Sequence, residues 1–273
     1  MKFKVARAAK HMWEEPVISG SKGSGTVFFC GCNLKCVYCQ NYEISHGSKG
    51  LYVSEDQLVD LFLQLEKQGV HNINLVTPSP YIKALPSLLM KARSLIKVPI
   101  VYNTSAYESV EDLKALEGLV DIYLPDFKYV DSAVSKKYSG VTNYSEIASA
   151  AITEMRRQQP NDIIKKGIMT KGVIVRHLIL PSNARDSFVV LDEIAKIDKD
   201  MYVSLMSQYF PTSNVKDFPE LNRRITRAEY NAVKEHFFKV GLHNGFQQDP
   251  SSAIKDYTPN FDTSTLLREI NEV

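Results

Sequence analysis

The stretch from Thr26 to Ser45 reads TVFFCGCNLKCVYCQNYEIS and holds all 4 cysteines of the chain. It opens on TVFFC, a β-branched and aromatic run that suits a buried strand, and passes straight into a polar loop. Cys32, Cys36 and Cys39 stand in a C-x3-C-x2-C spacing, with Cys30 two residues upstream. Thiolates this close can converge on one metal centre when the backbone loops around it, and soft sulfur favours an iron–sulfur cluster or zinc. A secreted disulfide framework is the poorer reading, because cysteines confined to one loop cannot staple distant segments. Cys30 shares a strand face with Phe28 by period two and reads as a small buried core residue rather than a ligand. The remaining alternative is a structural zinc knot of four thiolates, although zinc sites usually draw their ligands in two separated pairs.

Outward from this loop the chain alternates strands and helices. Ser54 to Gln57 is a capping box before a helix with Leu58, Leu61, Phe62 and Leu65 on one face, ended by Gly69. Strands are expected at His71 to Thr77, Val98 to Thr104, Val120 to Phe127, Gly172 to Leu180 and Met201 to Tyr209. Helices are expected at Tyr81 to Ile96, Val110 to Leu119, Ser132 to Tyr138, Tyr144 to Gln159 and Ser187 to Ile197, with a last one capped by Thr226 and Glu229. Counting TVFFC, six near-continuously apolar strands alternate with helices. That pattern means a parallel sheet covered by helices, either an open doubly wound sheet or a full or partial β/α barrel, and six units are too few for a closed eight-fold barrel.

The 273 residues carry no linker that would justify a second domain and read as one domain, 1–273. Residues 1–25 are expected to form an N-terminal extension, a loop with a short helix near Arg7 to Trp13. The segment from Pro211 to Arg224 and the tail 245–273 are expected to be irregular, the tail wrapping the body. A net charge of +2, with basic residues scattered, offers no nucleic-acid signature. No run approaches the roughly 20 apolar residues of a membrane span, and no cleavable leader is evident, so the cytoplasm is the expected location.

Ligands of parallel β/α folds bind where the strands' carboxyl ends gather their loops. The polar residues expected there are the cysteine loop, Thr77-Pro-Ser79, Asn103-Thr-Ser105, Asp126-Phe-Lys128, Arg176 and Ser207-Gln208-Tyr209. Arg176 lies in an apolar strand, where an unpaired charge is costly, so it should meet an anion; His177 should face the helices as a satisfied core histidine. Asp126 with Lys128 has a plainer reading as a surface ion pair, and Asn103 to Ser105 as a turn that closes its strand.

Cys32-Asn-Leu-Lys-Cys36-Val-Tyr-Cys39 resembles the cluster motif of the radical S-adenosylmethionine superfamily. Gln40-Asn-Tyr, Ser24-Gly-Thr-Val-Phe-Phe, the WEEP segment of Trp13 to Gly20 and VTPSPY at Val76 to Tyr81 narrow the resemblance to a less characterised branch of the pyruvate formate-lyase activating enzymes. It implies a partial (β/α)6 TIM-like barrel and a [4Fe–4S] cluster held by Cys32, Cys36 and Cys39, with one iron left for S-adenosylmethionine. Reductive cleavage of that cofactor to a 5'-deoxyadenosyl radical is the implied chemistry. Tyr38 matches the aromatic beside the adenine, Asp126-Phe-Lys128 a D-x-K pattern facing the cofactor, and Arg176 an arginine of the same polar floor. Thr77, Asn103, Ser105 and Gln208 complete the expected cofactor-binding set.

Two positions depart from the family pattern. Thr77-Pro-Ser-Pro80 replaces the glycine-rich loop that receives the methionyl amine, and Gln208 or Tyr209 stands near a missing histidine. The implied partners are a glycyl radical enzyme as target and a flavodoxin or ferredoxin as electron donor. A small molecule or another protein side chain as target, or a non-catalytic zinc scaffold, are the alternatives.

Overall fold

The computed structural model describes residues 2–47 and 49–248, together with Phe261, Thr263 and Leu266. In chain order the elements are β1 (Lys2–His11), α1 (Pro16–Ser19), β2 (Ser24–Phe29), α2 (Tyr42–Ser45), β3 (Leu51–Ser54), α3 (Glu55–Lys67), β4 (Ile73–Val76), α4 (Leu85–Arg93), β5 (Ile100–Thr104), α5 (Val110–Lys114), β6 (Ile122–Pro125), α6 (Ser132–Ser139), α7 (Tyr144–Gln158), β7 (Ile163–Lys165), β8 (Ile168–Leu178), α8 (Ala184–Ile197), β9 (Tyr202–Met206), α9 (Arg227–Lys239) and β10 (Gly245–Gln247). The sheet runs β10-β9-β8-β6-β5-β4-β2-β1-β3 and does not close. Within it, β2, β4, β5, β6, β8 and β9 pair in parallel in that order. These are the six strands expected from the sequence, and they form an α/β, partial TIM-like barrel.

The sheet has two faces with different occupants. Alternate residues such as Val27, Leu75, Tyr102, Tyr123 and Val175 point outward into the main core beneath the helices. α3 joins that core through Leu58, Leu61, Phe62 and Leu65, all buried. Its capping box is present in full, Ser54 Oγ accepting from Gln57 N at 3.2 Å and Gln57 Oε1 from Ser54 N at 2.9 Å. α9 carries the equivalent box between Thr226 and Glu229.

The concave face is filled differently at its two levels. Near the strand starts, Val101, Ile122, Leu124 and Ile174 close around Ile18 of α1. This short helix is therefore a plug in the barrel's interior. Asn72 Nδ2 donates to Ile18 O at 2.8 Å, and Ser24 Oγ donates to Asn72 Oδ1 at 2.6 Å, fixing the plug to the starts of β2 and β4. Gly20 ends it at φ +47, a backbone conformation that glycine adopts without the strain of a side chain.

Several expectations are corrected. The first 25 residues are not a loop with a helix at Arg7 to Trp13: β1 runs through Lys2–His11 as an interior strand of the sheet, antiparallel to both β2 and β3. Its period-two pattern is hidden because the register shifts between Val5 and Arg7, so that Val5, Ala6 and Ala8 are all buried. The expected helix from Tyr81 to Ile96 divides into a 3₁₀ turn, Ser79–Ala84, and α4, with prolines at the start of each. β3, β7 and β10 are short strands that the apolar pattern did not mark; β10 adds a parallel edge beside β9, where an irregular tail was expected. Pro211 to Arg224 is irregular apart from two single 3₁₀ turns. Most of the expected wrapping tail lies outside the described residues; of it, Phe261 packs edge-on against Phe28 with centroids 5.4 Å apart.

Candidate active site

The loop after β2 is held by backbone bonds to its surroundings. Lys35 N donates to Ser139 O at 3.2 Å and Val37 N to Tyr138 O at 2.9 Å, tying the loop to the end of α6. Leu34 and Tyr38 are buried, and the Tyr38 hydroxyl bonds that of Tyr129. With these side chains turned inward, Cys32, Cys36 and Cys39 line one cleft at the carboxyl ends of the parallel strands. Cys36 Sγ lies 2.9 Å from Ser139 Oγ and Cys39 Sγ lies 3.4 Å from Ser45 Oγ.

That cleft encloses about 1190 Å³, part of it open to solvent. The eight residues expected to bind the cofactor, Tyr38, Thr77, Asn103, Ser105, Asp126, Lys128, Arg176 and Gln208, line it with the three cysteines, whereas Ser79, Ser207 and Tyr209, also expected at the strand ends, do not. Thr77 sits at φ +55 with its N–H donated to Asn103 O at 2.9 Å, a left-handed turn rare for a β-branched residue. Ser105 Oγ is buried at the wall with no partner among the described residues, a group placed to bond a ligand. Gln208 takes its place through Gln248, whose Nε2 donates to Gln208 Oε1 at 3.2 Å. Tyr209, the other residue near the missing histidine, is buried and donates to Leu221 O at 2.7 Å.

The floor is ionic. Lys128 Nζ meets Asp126 Oδ2 at 2.6 Å, and Arg176 Nε meets Asp126 Oδ1 at 3.0 Å. Arg176 also donates to Asn103 Oδ1 at 2.6 Å and approaches Glu14 Oε2 at 3.4 Å. Burial works against the Asp126 charge, but Lys128 and Arg176 outweigh it and hold its carboxyl below the usual range. Burial likewise opposes the charges of Lys128 and Arg176, and Asp126 reverses the balance for both. The plain reading of Asp126 and Lys128 as a surface pair therefore gives way to a partly buried network inside the cleft. His177 faces the opposite way, its Nδ1 2.7 Å from Phe127 O, and burial lowers its pKa to about 4.

Three residues of the N-terminal segment were missed from sequence: His11, Trp13 and Glu14 all line the cleft. The WEEP motif follows β1 directly, and the broken alternation of that strand hides from the sequence the element that brings Glu14 to the cleft. Gln40, Asn41 and Met206 line the cleft as well. Cys30 stands apart in an apolar cluster with Phe28 and donates its thiol to Lys49 O at 3.2 Å.

The family model for the Radical SAM superfamily matches residues 26–174. The chain belongs to that superfamily, whose members are enzymes that bind a [4Fe–4S] cluster and S-adenosylmethionine. A curated relative, the uncharacterized protein MJ0674 of Methanocaldococcus jannaschii, is 32% identical over 247 residues, covering 85% of this chain and 66% of its own. Among solved structures, SuiB of Streptococcus suis bound to S-adenosylmethionine superposes with a TM-score of 0.55 at 13% identity, over 80% of this chain and 48% of its own. The FeFe-hydrogenase maturase HydG of Carboxydothermus hydrogenoformans does so with a TM-score of 0.50 at 13% identity, over 89% of this chain and 64% of its own. The chain thus spans between about half and two thirds of the length of these relatives.

The residues fit the family's cluster. Three free thiols on one loop face one space, which is the donor set for a cluster with one open iron. Burial pushes the Cys36 thiol up to about 12 and raises that of Cys32, and the charge of Lys128 opposes both without overcoming burial, so the protons would leave these thiols as the metal binds. A four-thiolate zinc knot would need Cys30, which lies outside the cleft. Among the described residues, no three Cys, His, Asp or Glu side chains close on a point that one ion could fill. No helix of the described residues is long and apolar enough to cross a membrane.

Proposed function

We propose that Cys32, Cys36 and Cys39 hold the [4Fe–4S] cluster and that the chain uses S-adenosylmethionine for hydrogen abstraction from a target molecule. One observation carries this reading: the three thiols and the polar ends of β4, β5, β6, β8 and β9 line the same cleft. When bound and reduced, the cluster supplies the electron that splits the cofactor's sulfonium bond, giving methionine and a 5'-deoxyadenosyl radical.

The chain's own residues bind and orient. Lys128 sets a positive charge beside the thiolates, and Asp126 keeps that lysine and Arg176 extended toward the cleft. Lys128 and Arg176 are the cations available to a methionyl carboxylate, Ser105 Oγ and Asn103 are placed for ribose hydroxyls, and Tyr38 supports the adenine side. Ile18 fills the apolar end of the interior near the strand starts.

The target we favour is a backbone glycine of a partner glycyl radical enzyme, on the strength of the motif resemblance, with a flavodoxin or ferredoxin supplying electrons in the cytoplasm. Anaerobic reconstitution with iron and sulfide should give a brown protein whose reduced paramagnetic signal changes on adding S-adenosylmethionine and which releases 5'-deoxyadenosine. One tightly bound zinc and no 5'-deoxyadenosine would sink the reading. The target is tested separately, by the appearance of a protein radical on incubation with glycyl radical enzymes encoded nearby; a small-molecule or other side-chain target gives none.

A further inference from the structure

Cys36 is gripped from both sides by the last turn of α6. Lys35 N donates to Ser139 O at 3.2 Å and Val37 N to Tyr138 O at 2.9 Å, so the two residues that flank this cysteine are tied to backbone at one helix end. Between those bonds the side chains meet as well, Ser139 Oγ lying 2.9 Å from Cys36 Sγ. The helix stops there because Gly140 takes a left-handed φ of 82° and donates its N–H to Lys136 O at 3.1 Å. Main-chain bonds thus hold the hydroxyl against the sulfur.

The Ser139 hydroxyl is itself the end of a series. The Tyr129 hydroxyl lies 3.0 Å from Ser139 Oγ and bonds in turn to the Tyr38 hydroxyl, and all three side chains are buried. Each hydroxyl has one proton to give and lone pairs to receive, whereas a cysteine bound to metal is a thiolate and can only accept. That fixes the direction: Tyr38 donates to Tyr129, Tyr129 to Ser139, and Ser139 to Cys36. A chain polarised in one sense strengthens its final bond. The other two thiols are served differently. Cys32 Sγ accepts from Leu34 N at 3.4 Å, and Cys39 Sγ lies 3.4 Å from Ser45 Oγ, a half-buried hydroxyl that also sits 2.8 Å from His46 Nδ1.

We propose that Ser139 is a positioning residue for Cys36, and that the directed chain of Tyr38, Tyr129 and Ser139 raises the potential at which the cluster takes up its electron. The proposal rests on the ligand assignment made above. Its physical reason is charge. Reduction adds one electron and no proton, the ligand sulfurs become more negative, and a donor aimed at one of them stabilises the reduced state more than the oxidised one. Every proton stays on its own oxygen.

The test is potentiometric titration of the reconstituted chain, followed by the paramagnetic signal of the reduced cluster on samples matched for iron and sulfide. Ser139→Ala should lower the one-electron reduction equilibrium about tenfold, a midpoint about 59 mV more negative, and Ser139→Thr, which keeps the hydroxyl, should restore most of it. Tyr129→Phe leaves Ser139 in place but removes the donor behind it, and should move the midpoint in the same direction by less. Electron–nuclear double resonance of the reduced wild type in D2O should show an exchangeable deuteron that Ser139→Ala lacks. Hydroxyls that only satisfy one another would change the melting temperature and leave the midpoint where it was. The proposal is overturned if Ser139→Ala holds a normal cluster at an unchanged midpoint; where that variant takes up no iron, an unchanged midpoint in Tyr129→Phe overturns it. A wild type that takes up no cluster refutes the ligand assignment and removes this proposal with it, so the two failures are distinct.

Discussion

Arg176 and Asp126 are joined twice: their backbones form a parallel bridge that extends the β6–β8 pairing, and their side chains form an ion pair at 3.0 Å. The backbone bond from Phe127 N to Arg176 O, 2.8 Å, locks the same level of the sheet. The guanidinium's direction is thus set by the sheet as well as by its partner. Asp126→Asn would leave Lys128 and Arg176 without their shared anion. Removing one partner of a buried ionic group costs about 3 to 5 kcal/mol, so urea unfolding should show a loss near the lower end, since the pair is partly solvated. An unchanged midpoint would show that Glu14 and solvent replace Asp126 in full.

Substitutions in the cysteine loop should divide sharply. Cys32→Ala, Cys36→Ala and Cys39→Ala should each lose most cluster iron and the broad visible absorbance of the reconstituted protein. Cys30→Ala should retain both, because Cys30 packs with Phe28 and Ile44 away from the cleft. Iron content per chain decides it, and a normal cluster in the Cys36 variant refutes the ligand assignment.

Glu14 and His177 make stability depend on pH with opposite signs. Glu14 folds with a raised pKa of about 7, so the native state binds the extra proton and stability falls as pH climbs from about 4.5 to 7. His177 folds with a lowered pKa of about 4, so the unfolded state binds the extra proton and stability falls as pH drops from about 6.5 to 4. Each effect is on the order of 3 kcal/mol when complete. The melting temperature of Glu14→Gln relative to wild type should rise between pH 5 and 7, whereas that of His177→Asn should rise between pH 6.5 and 4. A difference that stays constant across either window contradicts the corresponding assignment.

Ile18 is fully buried amid Val101, Ile122, Leu124 and Ile174. Ile18→Ala should cost about 2 to 4 kcal/mol, the transfer of the lost methyl groups plus the cavity they leave. Chemical denaturation measures it, and a cost below 1 kcal/mol would mean that the plug is loosely seated.

How far the sequence reached can be judged from particular residues. The six parallel strands were legible because each is buried on both faces and so reads as a continuous apolar run, and the strand-end rule then brought Thr77, Asn103, Asp126 and Arg176 beside the cysteines without any structure. α3 and α9 were legible from Ser54–Gln57 and Thr226–Glu229, since a capping box is a local signal. β1 was illegible because its bulge near Ala6 breaks the period. β3, β7 and β10, of 4, 3 and 3 residues, are too short to carry a period at all. Glu14 was out of reach for a further reason: its partners Asn74 and Arg176 lie 60 and 162 residues away, and no local pattern reports a contact of that range.

Ile18 of α1 stoppers the end of the interior near the strand starts, so the cleft faces outward where the cysteine loop meets the carboxyl ends of the strands. A bulky target seated over that rim would itself become part of the wall around the reacting atoms, and small products would leave more slowly while it stays.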